Sequence, residues 1–167
     1  MAYNLLLAAI TLVYVFCLCF AIVSDFRTLI IPNWVPVTLV ALFAVFAAIH
    51  LDWRGALAHL TVAALVFVIA LFFFLARWMG GGDVKLLTAV ALWMGPEHGA
   101  QFTVIMALLG AILAAGLLLL RQYDWMLQHP LGQQAVIRRL GELAKAGECP
   151  YGVAIGIAAL ITIPTLP

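Results

Sequence analysis

Six apolar runs separated by short polar breaks decide what this chain can become. They fall near residues 5–23, 34–49, 56–76, 84–94, 102–120 and 151–166. A helix needs about 20 apolar residues to cross the hydrocarbon core of a bilayer, with a lower limit near 17. In lipid, backbone amides and carbonyls must find partners inside the protein, so such runs become helices. Hydrophobic residues make up 67% of the 167 and charged ones only 9%, against about a quarter charged in a soluble domain. The expected fold is an all-α integral membrane protein, one domain over residues 1–167, built as a bundle of about six transmembrane helices. The run at 84–94 is short and carries Lys85 near its start. Either it is partly re-entrant or it begins inside the protein at a turn.

Basic residues set the orientation. With six spans, the odd connectors hold Arg27, then Arg77 and Lys85, then Arg121, Arg138, Arg139 and Lys145. The even connectors hold only Arg54. Positive residues favour the cytoplasmic side, so the odd connectors are cytoplasmic and both termini external. The first run has no Lys or Arg before Arg27, so it reads as a retained span rather than a cleaved signal peptide. The five Trp mostly sit near run ends, as an aromatic belt does. Residues 121–149 form the one sizeable polar connector. Within it Val136, Leu140 and Leu143 recur at helical spacing, and Arg138 and Glu142 form an i, i+4 pair. This pattern suits an amphipathic helix on the inner leaflet, or a solvated connector with some helix.

Several function classes drop out. No basic cluster suits nucleic acid. Cys17, Cys19 and Cys149 contain no Cys-x-x-Cys pair, which excludes a zinc ribbon. Cys17 and Cys19 read as small residues within the first span, and Cys149 as a thiol in a polar stretch. No His-Glu-x-x-His occurs, so zinc-protease chemistry has no footing. No metal and no cofactor is expected. His59 enters the third run and is expected to bond a neighbouring helix. His50, Asp52, Glu97 and His98 fall in the external connectors. No internal repeat is evident, so the inverted halves of a transporter find no support.

The chemistry concentrates in Met79-Gly80-Gly81-Gly82-Asp83-Val84-Lys85. A carboxylate at membrane depth is costly, and such a residue is a functional-site candidate. Three consecutive glycines cost conformational entropy and suit a sharp turn or a close backbone approach. A second acid, Asp25, ends the first run on the same cytoplasmic side. Two nearby carboxylates share a proton, as in soluble aspartic proteases. One then takes a proton from water while the other hydrogen-bonds the scissile carbonyl, without metal or cofactor. Gly80 to Gly82 would offer room and backbone partners to an unwound substrate. The plainer alternatives are a tight turn with Asp83 as helix N-cap and an interfacial acid at Asp25. Pro32 and Asn33 suit the start of the second helix, with Asn33 as N-cap. Arg27 and Lys85 each lie two residues beyond an Asp, where helical neighbours diverge. They are expected to meet lipid headgroups or substrate. From the residues alone, two other functions stay open: a proton-coupled membrane transporter using Asp25 and Asp83 as a relay, and a non-catalytic subunit of a pilus or secretion machine.

Asp25 followed by Ile31-Pro32-Asn33, then Gly80-x-Gly82-Asp83-Val84-Lys85, then Pro150-Tyr151-Gly152, resembles the type IV prepilin peptidases. Archaeal preflagellin peptidases are relatives, and presenilin shares the Gly-x-Gly-Asp intramembrane protease type. The resemblance covers nearly the whole chain. It implies a multi-pass aspartic endopeptidase of the bacterial inner membrane with its site facing the cytoplasm. Its substrates would be prepilins or pseudopilins, recognised by a short basic leader and the adjoining hydrophobic helix. Asp25 and Asp83 match the catalytic aspartates, and Gly80 and Gly82 the motif glycines. Long bacterial members carry a four-Cys zinc section and methylate the new pilin N-terminus. No such Cys set precedes Asp25, so methyl transfer is not expected. The compact form is similar to the peptidases of tight-adherence (Flp) pilus systems. Val153 stands where many members have a second Pro. Neither the pilin nor the oligomeric state follows from the sequence.

Overall fold

The computed structural model describes residues 2–122 and 135–163. Among these residues there are six helices and no strand. They are α1 (Ala2–Thr28), α2 (Trp34–His50), α3 (Trp53–Leu75), α4 (Gly81–Gln122), α5 (Ala135–Ala146) and α6 (Tyr151–Ile161). Three are long and apolar enough to cross a membrane: Tyr3–Thr28, Trp53–Leu75 and Gly81–Gln122. The helices α2 and α6 are apolar but shorter. Leu12, Leu65, Phe72 and Ile112 are exposed. Outward-facing apolar side chains in such numbers belong against lipid rather than water. The protein is a helical membrane protein.

Helix α1 continues beyond its apolar run and carries Asp25 inside its last turn. The Thr28 hydroxyl donates to the Ser24 carbonyl at 2.8 Å, and Leu29, at φ 56°, ends the helix. The Ser24 hydroxyl then donates to the Ile30 carbonyl at 2.7 Å and fixes the loop that leads into α2. Asn33 precedes α2 but makes no side-chain cap. Its Oδ1 instead accepts from Lys85 Nζ at 2.8 Å. The expected N-cap therefore gives way to a tie between α2 and α4. Asp52 does cap α3, accepting from the Gly55 amide at 2.7 Å.

Helix α4 is two helices in one. Gly95 has φ 55° and ψ −163°, outside any helical region, and Pro96 follows it. A straight helix of 42 residues would run about 63 Å, twice the hydrocarbon thickness. The chain turns back instead. Asp83, near the start of α4, interacts with Asp25 of α1. Leu117, near the end of α4, packs with Phe26 and Leu29, also at the end of α1. Both ends of α4 therefore lie at the same end of the bundle. The seven residues at 95–101, expected as an external connector, contribute a single break at Gly95, and the helix resumes at once. Pro fits the first position of a helix because its missing amide is one that has no helical partner anyway. Glu97 and His98 consequently lie inside α4.

Pro96 also leaves the Leu92 carbonyl without its i+4 amide. His59 of α3 supplies the missing donor, with Nδ1 2.8 Å from the Leu92 oxygen. The carbonyl only accepts, so Nδ1 carries the proton. His59 thus bonds a neighbouring helix, as its position in the sequence suggested.

The segment 81–95 is nearly all buried and forms the centre of the bundle. Helices α2, α3 and α6 pack against α4, and α1 packs on α2 and α6. Helix α5 lies across the end of the bundle that carries Asp25. It buries Leu143 and Ala144 against Leu117, and Arg139 Nε donates to the Phe26 carbonyl at 3.1 Å. Its apolar stripe is Leu140, Leu143 and Ala144, whereas Val136 is exposed. The expected Arg138–Glu142 pair is present at 3.7 Å, at the surface. The rest of the 121–149 connector, at 123–134, and residues 164–166 of the last run lie outside the described residues.

Candidate active site

Only two charged side chains among the described residues are buried, and they are Asp25 and Asp83. Asp25 is 3% exposed and Asp83 8%. Both line one open cavity of about 820 Å³ at the α5 end of the bundle. They are close enough for the charge of one to act on the other. The expectation that two acids meet at one place is therefore met by the geometry.

Each carboxylate is held differently. Asp83 is the third residue of α4, so it is not the N-cap that the plainer reading allowed. Its carboxylate reaches back to the Gly80 amide, the reciprocal half of a capping box. Its Oδ1 is buried and has no hydrogen-bond partner. An orphaned buried carboxylate oxygen is costly unless it holds a proton or meets a substrate group. Asp25 faces the start of α6. Its Oδ2 accepts from the Val153 amide at 3.3 Å. The Gly152 amide reaches both carboxylates.

The three glycines divide the work. Gly81 and Gly82 form the first turn of α4 rather than an extended strand. Gly82 faces Ile31, where a Cβ would lie 3.2 Å from the Ile31 Cβ, so the missing side chain lets the α1–α2 loop close on α4. Gly81 faces Phe74 at ordinary contact distance. Gly80 lies outside the helix and lines the cavity beside Asp83. Of the three, Gly80 is the one placed to offer backbone to a substrate.

The other expected residues stand apart. Arg27 is exposed at the end of α1, and Lys85 is exposed and turned to Asn33. Pro32 and Asn33 lie in the α1–α2 loop, with the Pro32 carbonyl accepting from Val35. None of these four lines the cavity. Residues that carried no such weight in the sequence do line it: Phe74 from the last turn of α3, Arg77 and Trp78 from the α3–α4 turn, and Glu148, Cys149 and Tyr151 from the α5–α6 junction. Burial, then the negative charge of Asp25 and Asp83, pushes the Cys149 thiol up to about 11. Among the described residues no three His, Cys, Asp or Glu side chains cluster as a metal-binding group.

An open cavity at the end of a helical membrane bundle, holding two buried carboxylates, defines the class: a membrane protein with an acidic site at one end of its bundle. The chain matches the type IV leader peptidase family over residues 12–118, which includes both aspartates, and it belongs to that family. No curated protein and no solved structure matches it. It is accordingly a member of a peptidase family, and the family implies prepilin substrates.

Proposed function

We propose that this protein is an aspartic endopeptidase that removes the cytoplasmic leader from type IV prepilins or pseudopilins. The observation that carries the proposal is the pair of buried carboxylates in one cavity. One carboxylate, ionised, takes a proton from water as the water oxygen attacks the scissile carbonyl carbon. The other, protonated, gives its proton to the carbonyl oxygen. Collapse of the tetrahedral intermediate breaks the C–N bond, and a proton passes to the departing amine. The proton is shared by the pair. The orphaned Asp83 Oδ1 and the amide contacts of Asp25 are compatible with such sharing.

The substrate helix would lie in the membrane beside the bundle, with its leader entering the cavity from the α5 end. Phe74, Leu75 and Trp78 give the cavity an apolar wall, and Arg77 and Glu148 give it charge of both signs. The proposed setting is the bacterial inner membrane, with six spans and the site facing the cytoplasm. Arg27, Arg77, Arg121 and Arg139 gather at the aspartate end of their elements, which supports that side. Methyl transfer forms no part of the proposed activity.

The test is co-expression with a candidate prepilin, following leader removal for Asp25→Asn and Asp83→Asn. Each substitution keeps shape and removes one acid–base group, for which losses of about 100- to 10,000-fold are typical. Both variants are expected to insert at wild-type levels and leave the prepilin uncleaved. Full cleavage by either variant would sink the two-aspartate mechanism.

A further inference from the structure

We propose that Gly152 is a positioning residue of the aspartate pair, and that the first turn of α6 is the third structural part of the site. This rests on the peptidase reading above and adds a residue outside the segment that matches the family, 12–118. The first amides of a helix have no partner within it, and they form its positive end. In α6 these include the amides of Gly152 and Val153. The Val153 amide donates to Asp25 Oδ2 at 3.3 Å, and the Gly152 amide reaches Asp25 and Asp83 together.

That contact needs α6 to lie very close to α1. A Cβ on Gly152 would sit 2.9 Å from both Cγ and Oδ2 of Asp25, and 2.7 Å from Ile31 Cδ1. One turn along, a Cβ on Gly156 would sit 2.5 Å from Ile22 Cγ1. Small residues four apart let membrane helices approach in this way. At Gly156 the closeness serves packing against Ile22. At Gly152 it delivers backbone donors to a carboxylate. The atoms that a Gly152 side chain would strike are ends of side chains, so the helix can stay and the carboxylate must retreat. Ordinary contact begins near 3.4 Å, so the retreat from 2.9 Å is roughly 0.5 Å. A displacement of about 1 Å at a reacting group costs about a hundredfold in rate. Half of that distance predicts roughly tenfold.

The experiment compares wild type, Gly152→Ala, the double variant Ile31→Val with Gly152→Ala, and Gly116→Ala, each purified as the full chain in lipid nanodiscs. Gly116 faces open space and serves as the neutral control. Infrared difference spectra against Asp25→Asn isolate the Asp25 carboxyl band without any need for turnover. Cleavage of a prepilin gives kcat, KM and the pH–rate profile, and thermal unfolding gives Tm. In Gly152→Ala the Asp25 band is expected to shift and kcat to fall roughly tenfold. KM should stay within about twofold, Tm near wild type, and the pH–rate profile should be displaced. Removing Ile31 Cδ1 takes away the nearer of the two clashes, at 2.7 Å, so the added methyl presses less on the carboxylate and part of kcat should return. A band shift in a chain that never cleaves prepilin upholds the positioning role while refuting the peptidase reading. An unshifted band in folded Gly152→Ala overturns the positioning role. So does a loss of kcat that merely follows Tm and is untouched by Ile31→Val.

Discussion

Gly95→Ala should be among the most damaging single-methyl changes in this bundle, and the structure gives its size. Gly95 has φ 55° and ψ −163°, a region essentially restricted to glycine. Holding another residue there costs about 1–3 kcal/mol. A Cβ would also lie 2.4 to 2.7 Å from the His59 ring. The ring must then leave, and the Leu92 carbonyl that it bonds at 2.8 Å loses its only substitute for the Pro96 amide. A buried acceptor left unpaired costs about 1–3 kcal/mol more. Together the change should cost about 2–6 kcal/mol. The His59→Ala background separates the two parts. There the carbonyl is already unpaired and no ring is in the way, so adding Gly95→Ala should cost only the backbone part, about 1–3 kcal/mol. Reversible unfolding in mixed micelles, run as a double-mutant cycle, reads the difference. The coupling should be about 1–3 kcal/mol, with the two changes together costing less than their sum. Strict additivity, or a total below about 1 kcal/mol for Gly95→Ala, would refute the idea that the Gly95 backbone and the His59 bond hold the α4 reversal. Turnover per folded molecule should be unaffected, because Gly95 lies at the reversal in the middle of α4, 12 positions from Asp83 and at the opposite end of the bundle from it.

Cys149 offers a second test. With its thiol at about 11, the thiolate fraction at pH 8 falls roughly two-hundredfold below that of a free cysteine, and greater intrinsic nucleophilicity recovers roughly tenfold of this. Alkylation with a water-soluble maleimide should therefore run about an order of magnitude slower than for a free thiol and speed up as pH rises toward 11. Asp25→Asn or Asp83→Asn should accelerate it, since each removes a charge that opposes the thiolate. Unchanged rates in both would show that the carboxylates do not act on the sulfur. The glycines before Asp83 should not be equivalent. Gly81→Ala meets Phe74 at 3.4 Å and gains helix propensity, so it should leave cleavage intact and raise stability by up to about 1 kcal/mol. Gly82→Ala presses on Ile31 at 3.2 Å and Gly82→Val presses harder, so cleavage should fall in that order. Equal losses at 81 and 82, measured on purified protein, would reject close packing as the reason for Gly82.

The sequence carried the class of fold and the two acids well, for identifiable reasons. Hydrocarbon leaves helices as the economical structure for apolar runs, and Arg27, Arg77 and Lys85 put Asp25 and Asp83 on one side. His59 was legible too, as a polar side chain inside an apolar run. What escaped depends on which residue lies opposite which. The α4 reversal takes a single residue because Gly95 adopts a backbone closed to other residues and Pro96 restarts the helix at once. Spacing alone reads that stretch as a loop. Asn33 looked like a cap, yet its amide group serves Lys85 across the bundle. Cys149 and Glu148 read as part of a solvated connector, and only the folding of α5 onto α1 and α4 brings them to the cavity. Gly152 stood out only within a family motif, because a glycine's importance lies in what a side chain would strike.

The dependence of Asp25 on the start of α6 also sets a clock on the enzyme. The Asp25 carboxylate and the Val153 amide that it accepts from are 128 positions apart. At translation rates of about 5–20 residues per second, the first aspartate waits about 6 to 26 s for that donor. During this interval α1 and α4 can be in the membrane with both acids present and the amide cradle still missing. On the proposed two-aspartate mechanism competence comes late, with the last described helix, and a nascent chain arrested before Tyr151 is expected to hold both aspartates yet leave a co-expressed prepilin intact.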